Sequence, residues 1–285
     1  MEHSARLRCH TRTGLLRHAA HLAGTMTDRH RLHRHAAAPV TRMAVGVPSA
    51  SEILALVLGR RFGTEYQPVV DLQTGATLGH EALARFFDSA GDAVAPGNVF
   101  ARLHDEPSLL LYVEAETKRF QIEHAPDGPL YLNIDPDSFQ AAARSGSGNT
   151  LLDVLSVHSP HIVVEIIETM SWSDARLGHE LVRALRARSI GVALDDVGAP
   201  DALLSLEALR EADVVKLDRS WLRRAGDPRD RAILEALLAL TRRLGTRTIL
   251  EGIETAADLD LAMTLGVDAV QGFLFRPQFQ SRRAA

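Results

Sequence analysis

From Ser51 onward, short apolar runs alternate with longer amphipathic stretches. The runs are "PLYLNID", "HIVVEII", "IGVALDD", "DVVKLD", "TRTILEG" and "VDAVQGF". They predict strands, because a strand that is buried on both faces needs a nearly continuous apolar sequence. Stretches such as "SDARLGHELVRALRAR" and "RDRAILEALLALTRRLG" lie between them and predict helices, since their apolar residues recur at intervals of three and four. This alternation indicates a parallel sheet covered by helices.

Two further strands are predicted before this series, in "EYQPVVDL" and "TLGHEALARF". About four turn residues around Gly75 separate them, which is too short for a parallel crossover, so we expect an antiparallel hairpin. A short helix with Ser51 as N-cap is predicted before the hairpin, and a long helical stretch from Asn98 to His124 after it.

Counting the hairpin, eight strands in about 230 residues predict a TIM-type (β/α)8 barrel with one antiparallel strand. A doubly wound open sheet is the alternative. It is disfavoured because no glycine-rich phosphate loop follows the first parallel strand.

Charge divides the chain into two parts. Residues 1–50 contain eight Arg, no Lys, one Glu and one Asp, a net charge of +6. The whole chain carries −4, which leaves −10 for the remainder. We predict a disordered basic arm over residues 1–50 and a barrel domain over residues 51–285. Because the barrel domain is acidic, neither DNA nor RNA is expected as a partner.

The location of the protein is suggested by three negative features of the sequence. No apolar run approaches the roughly 18 residues needed to span a bilayer. The N-terminal stretch is interrupted by His and Arg and does not resemble a secretory signal. Cys9 is the only cysteine, so an internal disulfide is impossible. Together these features predict a cytoplasmic protein without a membrane span.

The predicted strands repeatedly end in residues that can bind a metal or position water. These residues are Glu81, Asn133, Glu165, Glu168, Asp195, Asp196, Lys216, Asp218, Glu251, Glu254 and Gln271. Each of the acids alone would be explained as a helix N-cap or a solvated side chain. In a barrel, however, the carboxyl ends of the strands meet at one mouth, where the active site lies.

A ring of carboxylates at such a mouth would be strongly repulsive without cations. Oxygen ligands suit Mg²⁺ or Mn²⁺, and the adjacent Asp195 and Asp196 are suited to bridging two ions. Two-metal sites of this kind cleave phosphate esters. Composition and placement therefore predict a metal-dependent phosphohydrolase.

The same motifs carry a resemblance to a known family. Over about residues 52–280 the chain resembles the EAL-domain phosphodiesterases of bacterial cyclic di-GMP signalling. The triplet Glu81-Ala82-Leu83 with Arg85 matches the family's name-giving motif, and "YQPVVDL", "LNID", "EIIE", "DD", "KLD", "EGIE" and "QGFLF" follow in the family's order and spacing.

The resemblance implies a (β/α)8 barrel with one antiparallel strand that hydrolyses cyclic di-GMP to linear pGpG with two Mg²⁺ or Mn²⁺ ions. It implies that Glu81, Asn133, Glu165 and Asp195 hold one metal, and that Asp195 bridges to a second held by Asp196, with Glu251 a further candidate ligand. It further implies Glu251 as general base, Lys216 as the residue positioning water, Gln271 as support, Gln67 and Arg85 as substrate contacts, and Glu168 as anchor of the loop after the paired aspartates. A homodimer is a further expectation.

That loop departs from the family pattern D-D-F-G-T-G-Y-S-S-L, because the chain has "DDVGAPDALLSL". Pro200 fixes φ near −65° where the family has a glycine, and the hydroxyls that would contact Glu168 are missing. We therefore expect the loop to have a different backbone shape. Two hypotheses stay open: the complete carboxylate set favours catalysis, whereas the altered loop favours a non-catalytic cyclic di-GMP receptor or protein-interaction module.

Overall fold

The structure is a computed structural model, and it describes residues 48–144, 149–156, 161–167, 172–200 and 202–285. The predicted basic arm lies almost wholly outside these residues, so the arm and its boundary with the barrel domain stay predictions. Glu168, the predicted loop anchor, also lies outside the described residues.

Eight strands form the barrel. They are β1 (Phe62–Asp71), β2 (Thr77–Phe87), β4 (Leu130–Asn133), β5 (Ile162–Ile167), β6 (Gly191–Val197), β7 (Val214–Leu217), β8 (Arg247–Leu250) and β9 (Ala269–Val270). Strand β2 pairs in parallel with β4, and the parallel pairing continues to β9. Strand β1 pairs antiparallel with both β2 and β9, and so closes the barrel.

The predicted barrel with one antiparallel strand is therefore confirmed, and the open doubly wound sheet is wrong because β1 leaves no free edge between β2 and β9. Two short strands lie outside the ring. Strand β3 (Ala93–Val94) extends β2, and β10 (Gln280–Arg283) extends β1.

Helices cover the barrel. They are α1 (Ala50–Leu58), α2 (Pro96–Leu103), α3 (Pro107–Glu123), α4 (Pro136–Arg144), α5 (Thr150–Ser156), α6 (Trp172–Arg186), α7 (Leu206–Glu211), α8 (Trp221–Arg224), α9 (Pro228–Leu244) and α10 (Ala256–Leu265), with a 3₁₀ helix at Phe273–Gln278. Among the described residues, no helix has the length and apolar character that crossing a membrane would require.

Two details of the helix predictions were wrong. The N-cap of α1 is Ser49 and not Ser51, because Ser49 and Glu52 form a capping box in which each side chain accepts from the backbone N–H of the other. The single helix predicted over residues 98–124 is two helices. Pro107 begins the second one, since a proline has no N–H with which to continue the first.

The period of the strands explains how the interior is layered. One layer is apolar and contains Val69, Tyr131, Val163, Ala193, Val214, Ile249 and Ala269. Side chains two positions apart on a strand face the same side. The end of the barrel at which β2 and the strands from β4 to β9 finish is called the mouth. Two positions closer to the mouth than each of these apolar residues, the chain has a polar one, and these polar residues form a second layer, called the polar layer. Its members are Gln67, Asn133, Glu165, Asp195, Lys216, Glu251 and Gln271.

Candidate metal centre

Lys216, on β7, lies at the centre of the polar layer, and its side chain is 1% exposed. Its Nζ is 2.7 Å from Glu165 Oε1, 2.8 Å from Glu251 Oε1, 3.0 Å from Asp195 Oδ1 and 3.4 Å from Glu81 Oε2. The four carboxylates come from β2, β5, β6 and the residue after β8. One buried ammonium group therefore contacts acids from four separate segments, as the convergence of strand ends at a barrel mouth requires.

Two amide side chains complete the contacts of Glu81. Asn133 Nδ2 donates to Glu81 Oε1 at 3.0 Å and to Glu165 Oε2 at 2.9 Å. Gln271 Nε2 donates to Glu81 Oε2 at 2.6 Å. The Asn133 amide thus presents its nitrogen to the carboxylates, and ligation of a metal by its oxygen requires the amide to turn over.

Asp196 reaches the same mouth through an irregularity of β6. Adjacent residues on a regular strand face opposite sides. The pairing of β6 with β7 shifts register between Leu194 and Val197, and Asp196 has a left-handed backbone with φ of 54°. This bulge brings one oxygen each of Asp195, Asp196 and Glu251 within 4.8 Å of one another. The paired aspartates can therefore share a group of ligands.

Burial and repulsion shift the proton affinities of these acids. Burial raises the pKa of Glu251 to about 8, although Lys216 opposes the shift. Burial, followed by repulsion from Glu81, holds the pKa of Glu165 well above its ordinary value. The pKa of Asp196 is raised by burial and then by its neighbour Asp195.

Lys216 and Glu81 are shifted toward their charged forms. Burial opposes the charged form of both groups. In Lys216 the surrounding carboxylates, with Glu165 first, more than offset burial and raise the pKa well above its ordinary value. In Glu81 the attraction of Lys216 and the hydrogen bonds from Gln271 and Asn133 outweigh burial and lower the pKa.

The charge and chemistry of this cluster fit divalent cations. Five carboxylates, from Glu81, Glu165, Asp195, Asp196 and Glu251, share one ammonium, so their fully ionised form carries −4. Such a buried charge is unfavourable unless cations offset it, and two divalent ions would neutralise it. The ligand atoms are oxygens, which Mg²⁺ and Mn²⁺ prefer. The residues present therefore fit the predicted metals.

The β1–β2 hairpin forms the other wall of the mouth. Gln67 lies opposite Glu81 in the strand register, and both line an opening of about 250 Å³ above the polar layer, together with Phe273. Arg85, the second predicted substrate contact, is one-third exposed, and its Nη2 is 2.6 Å from Glu65 Oε1. Gln67 Nε2 donates to that same oxygen at 3.0 Å.

Glu65 also belongs to this wall, although it was not predicted as a site residue from the sequence. It is two residues from Gln67 on β1, so strand alternation alone places it on the same wall. Its carboxylate contacts both predicted substrate-binding side chains and so fixes their orientation before any substrate arrives.

A buried polar stripe on α3 was likewise not predicted from the sequence. Glu114, Lys118 and Gln121 are each 3% exposed or less. Glu114 Oε1 accepts from the backbone N–H of Asp135, two residues after Asn133, and Gln121 Nε2 donates to Ala82 O, next to Glu81. The chain has only two lysines, Lys118 and Lys216, and the structure buries both of them.

The Glu114 carboxyl should make stability depend on pH. Burial raises the pKa of Glu114 to about 7 from its ordinary 4.5. A carboxyl with a raised folded-state pKa contributes stability that is present below pH 4.5 and is lost as the pH rises through 7. Relative to the variant Glu114→Gln, which keeps Lys118, we expect the free energy of unfolding of the unmodified protein to fall between these pH values. Urea denaturation at both pH values measures it, and parallel pH profiles would contradict it.

Comparison with known proteins gives the family. A model of the EAL domain matches residues 51–278, so the chain belongs to the EAL domain family. The chain is 29% identical over 226 residues to the bifunctional diguanylate cyclase/cyclic di-GMP phosphodiesterase MucR of Pseudomonas aeruginosa, covering 75% of this chain and 33% of MucR. It is 27% identical over 239 residues to the cyclic di-GMP phosphodiesterase RocR of the same species, covering 80% of this chain and 60% of RocR. The chain thus spans between one-third and three-fifths of the lengths of these two relatives.

Solved structures show the same fold. The phosphodiesterase of MucR, solved in complex with cyclic di-GMP, superposes with a TM-score of 0.65 at 26% identity, covering 79% of this chain and 94% of that one. Klebsiella pneumoniae BlrP1, solved as a manganese and cyclic di-GMP complex, superposes with a TM-score of 0.61 at 22% identity, covering 79% of this chain and 57% of that one. The resemblance stated from the sequence motifs is confirmed at the level of family and fold.

Proposed function

We propose that this protein hydrolyses cyclic di-GMP to linear pGpG with Mg²⁺ or Mn²⁺. The observation that carries the proposal is the contact of Lys216 Nζ with four carboxylates at the mouth of an EAL barrel. The names of the related phosphodiesterases supply the substrate, and the oxygen ligands supply the metal class.

The proposed metal ligands divide into two groups that share Asp195. Glu81, Asn133, Glu165 and Asp195 would hold one ion, and Asp195, Asp196 and Glu251 the other. When bound, the ions would lower the pKa of water and offset negative charge at the phosphate.

The chain's own residues would carry the proton and orient the reactants. The Glu251 carboxylate, which directly follows β8 and contacts Lys216, accepts a proton from the attacking water and delivers it to the departing 3′ oxygen. The water oxygen forms the new bond to phosphorus as the P–O3′ bond breaks. Lys216 directs the water by donating a hydrogen bond, and Gln271 holds Glu81. Arg85 pairs with a phosphate oxygen, for which a guanidinium group is well suited.

Chromatography of cyclic di-GMP incubated with purified protein and Mn²⁺ or Mg²⁺ tests the proposal, with pGpG as the expected product. Glu81→Ala is the control, since it removes one ligand of the first group. Absence of product above this control would defeat the proposal.

A non-catalytic cyclic di-GMP receptor is the second candidate, favoured by the altered loop after Asp196. It predicts saturable binding of cyclic di-GMP, measured by calorimetry, in a preparation that forms no pGpG. Product formation by the unmodified protein would exclude it.

We propose a cytoplasmic homodimer as the working form of the protein. Ile233, Leu240 and Leu244 are exposed on α9, and their spacing of seven and four places them along one face. An apolar stripe of this kind suits pairing with a second copy of the chain. Sedimentation should show a dimer that Leu240→Glu dissociates, and a monomer for the unmodified protein would refute it.

A further inference from the structure

We propose that Trp221 and Arg224 on α8 are positioning residues that hold the loop over residues 196–200, and so keep Asp196 in place for the second metal. The two residues are called the α8 clamp, and the loop the Asp196 loop. The inference rests on the proposed metal-dependent function and explains how a loop without the family's hydroxyl residues can still serve it.

Hydrogen bonds join the clamp to two consecutive backbone carbonyls of the loop. Trp221 is 2% exposed, and its Nε1 donates to Val197 O at 2.9 Å. Arg224 Nη1 donates to Gly198 O at 2.8 Å, and Ser220 Oγ donates to the same oxygen at 3.3 Å. The peptide units that follow Asp196 are therefore held from outside the loop.

The Trp221 ring also lies directly against the loop backbone. A Cβ placed on Gly198 would fall 2.2 Å from Trp221 Nε1, and Gly198 has a φ of +86°. Glycine is the residue that satisfies both the close approach and the left-handed backbone. The contact therefore requires this indole and this glycine together, and Gly198 is a position at which the chain keeps the family's residue.

The guanidinium group of Arg224 is itself held in two ways. It lies 4.4 Å from the centroid of the Trp221 ring, and Asp230 accepts from it at 2.7 Å and 3.2 Å. A planar group that is stacked on an indole and paired with both oxygens of a carboxylate loses little further freedom when it donates to a carbonyl. The clamp is thus preorganised before it contacts the loop.

The backbone that the clamp holds is one that needs support. Asp196 adopts a left-handed φ of 54°, which residues other than glycine rarely adopt. Within the described part of the loop, Ala199 N–H donates to Asp196 O at 2.9 Å. Such conformations persist where the surroundings over-determine them. The clamp supplies that support at the carbonyls one and two residues beyond Asp196.

Binding of Mn²⁺ to the purified protein, monitored by electron paramagnetic resonance of the free ion, tests the inference. We expect two ions per chain in the unmodified protein. In Trp221→Phe, which keeps a smaller aromatic ring and loses the N–H donor, and in Arg224→Met, the second ion should bind roughly 10-fold or more weakly while the first is unchanged. Arg186→Met is the matched control. It breaks the ion pair between Arg186 and Asp213, whose arginine is as exposed as Arg224 and which lies at the other end of the barrel. This variant should leave the binding of both Mn²⁺ ions unaffected.

Hydrogen exchange of the metal-free protein tests whether the clamp holds the Asp196 loop, independently of metal binding. Exchange of the Ala199 N–H should be faster in Arg224→Met than in the unmodified protein and in Arg186→Met. Two ions bound with unmodified affinity in both clamp variants, or equal weakening of both ions, would overturn the inference. If the unmodified protein binds no Mn²⁺, the proposed function fails, and an unchanged Ala199 exchange rate in Arg224→Met would then overturn the clamp as well.

Discussion

Replacing Lys216 by Met is expected to lower both the stability of the metal-free protein and its rate of hydrolysis. The ammonium contacts four carboxylates, and the lysine side chain is 1% exposed. Removing one partner of a buried ionic cluster leaves the others uncompensated, which costs about 3–5 kcal/mol. The rate should fall on the order of 10³-fold, because the hydrogen bond that orients the water is lost. Urea denaturation and chromatography of pGpG measure the two effects.

Lys118→Met is the matched control for this experiment, since it removes the chain's only other lysine, which is also buried. It should lower stability yet leave the rate per folded molecule within about threefold, because Lys118 lies outside the polar layer. Mn²⁺ should restore part of the stability lost in Lys216→Met, as divalent charge replaces the missing ammonium. A Lys216→Met variant as stable and as active as the Lys118→Met variant would contradict the assigned role.

The second large effect is expected from Asp195→Asn. Asp195 belongs to both proposed ligand groups, so its loss should impair binding of both ions and lower the rate on the order of 10³-fold. Its effect on stability should have the opposite sign from that of Lys216→Met. Removing one of the mutually repelling charges leaves the metal-free protein as stable as before or more stable. Mn²⁺ titration, product chromatography and urea denaturation report the three quantities.

Asp213→Asn is the control for Asp195→Asn, because Asp213 precedes β7 at the end of the barrel away from the mouth. It should change neither the ion count nor the rate. If Asp195→Asn kept two tightly bound ions, the assignment of Asp195 as the shared ligand would be wrong.

Much of the fold and of the polar layer was predictable from the sequence, because both depend on a local period. Apolar runs that end in Asn133, Glu165 or Asp195 specify a strand and its mouth residue together. The short connection around Gly75 was enough to specify the antiparallel strand. The motifs of the EAL family then added the roles that no period could supply.

What the sequence did not reveal depends on tertiary packing. The charges at positions 114 and 118 have the spacing of a solvated helix pair, and only the packing of α3 against other elements buries them. The bulge that brings Asp196 to the mouth arises from the pairing of β6 with β7. The contact of Trp221 with Gly198 joins residues more than twenty positions apart, and no local pattern indicates it.

The central claim is that the carboxylate layer around Lys216 cleaves cyclic di-GMP. The most direct measurement is chromatography of cyclic di-GMP after incubation with purified protein and Mn²⁺, beside a Glu81→Ala control prepared in the same way. We predict conversion to pGpG by the unmodified protein and product at the level of the buffer blank for Glu81→Ala. Equal product from both proteins, or product from the unmodified protein that does not exceed the buffer blank, would contradict the claim.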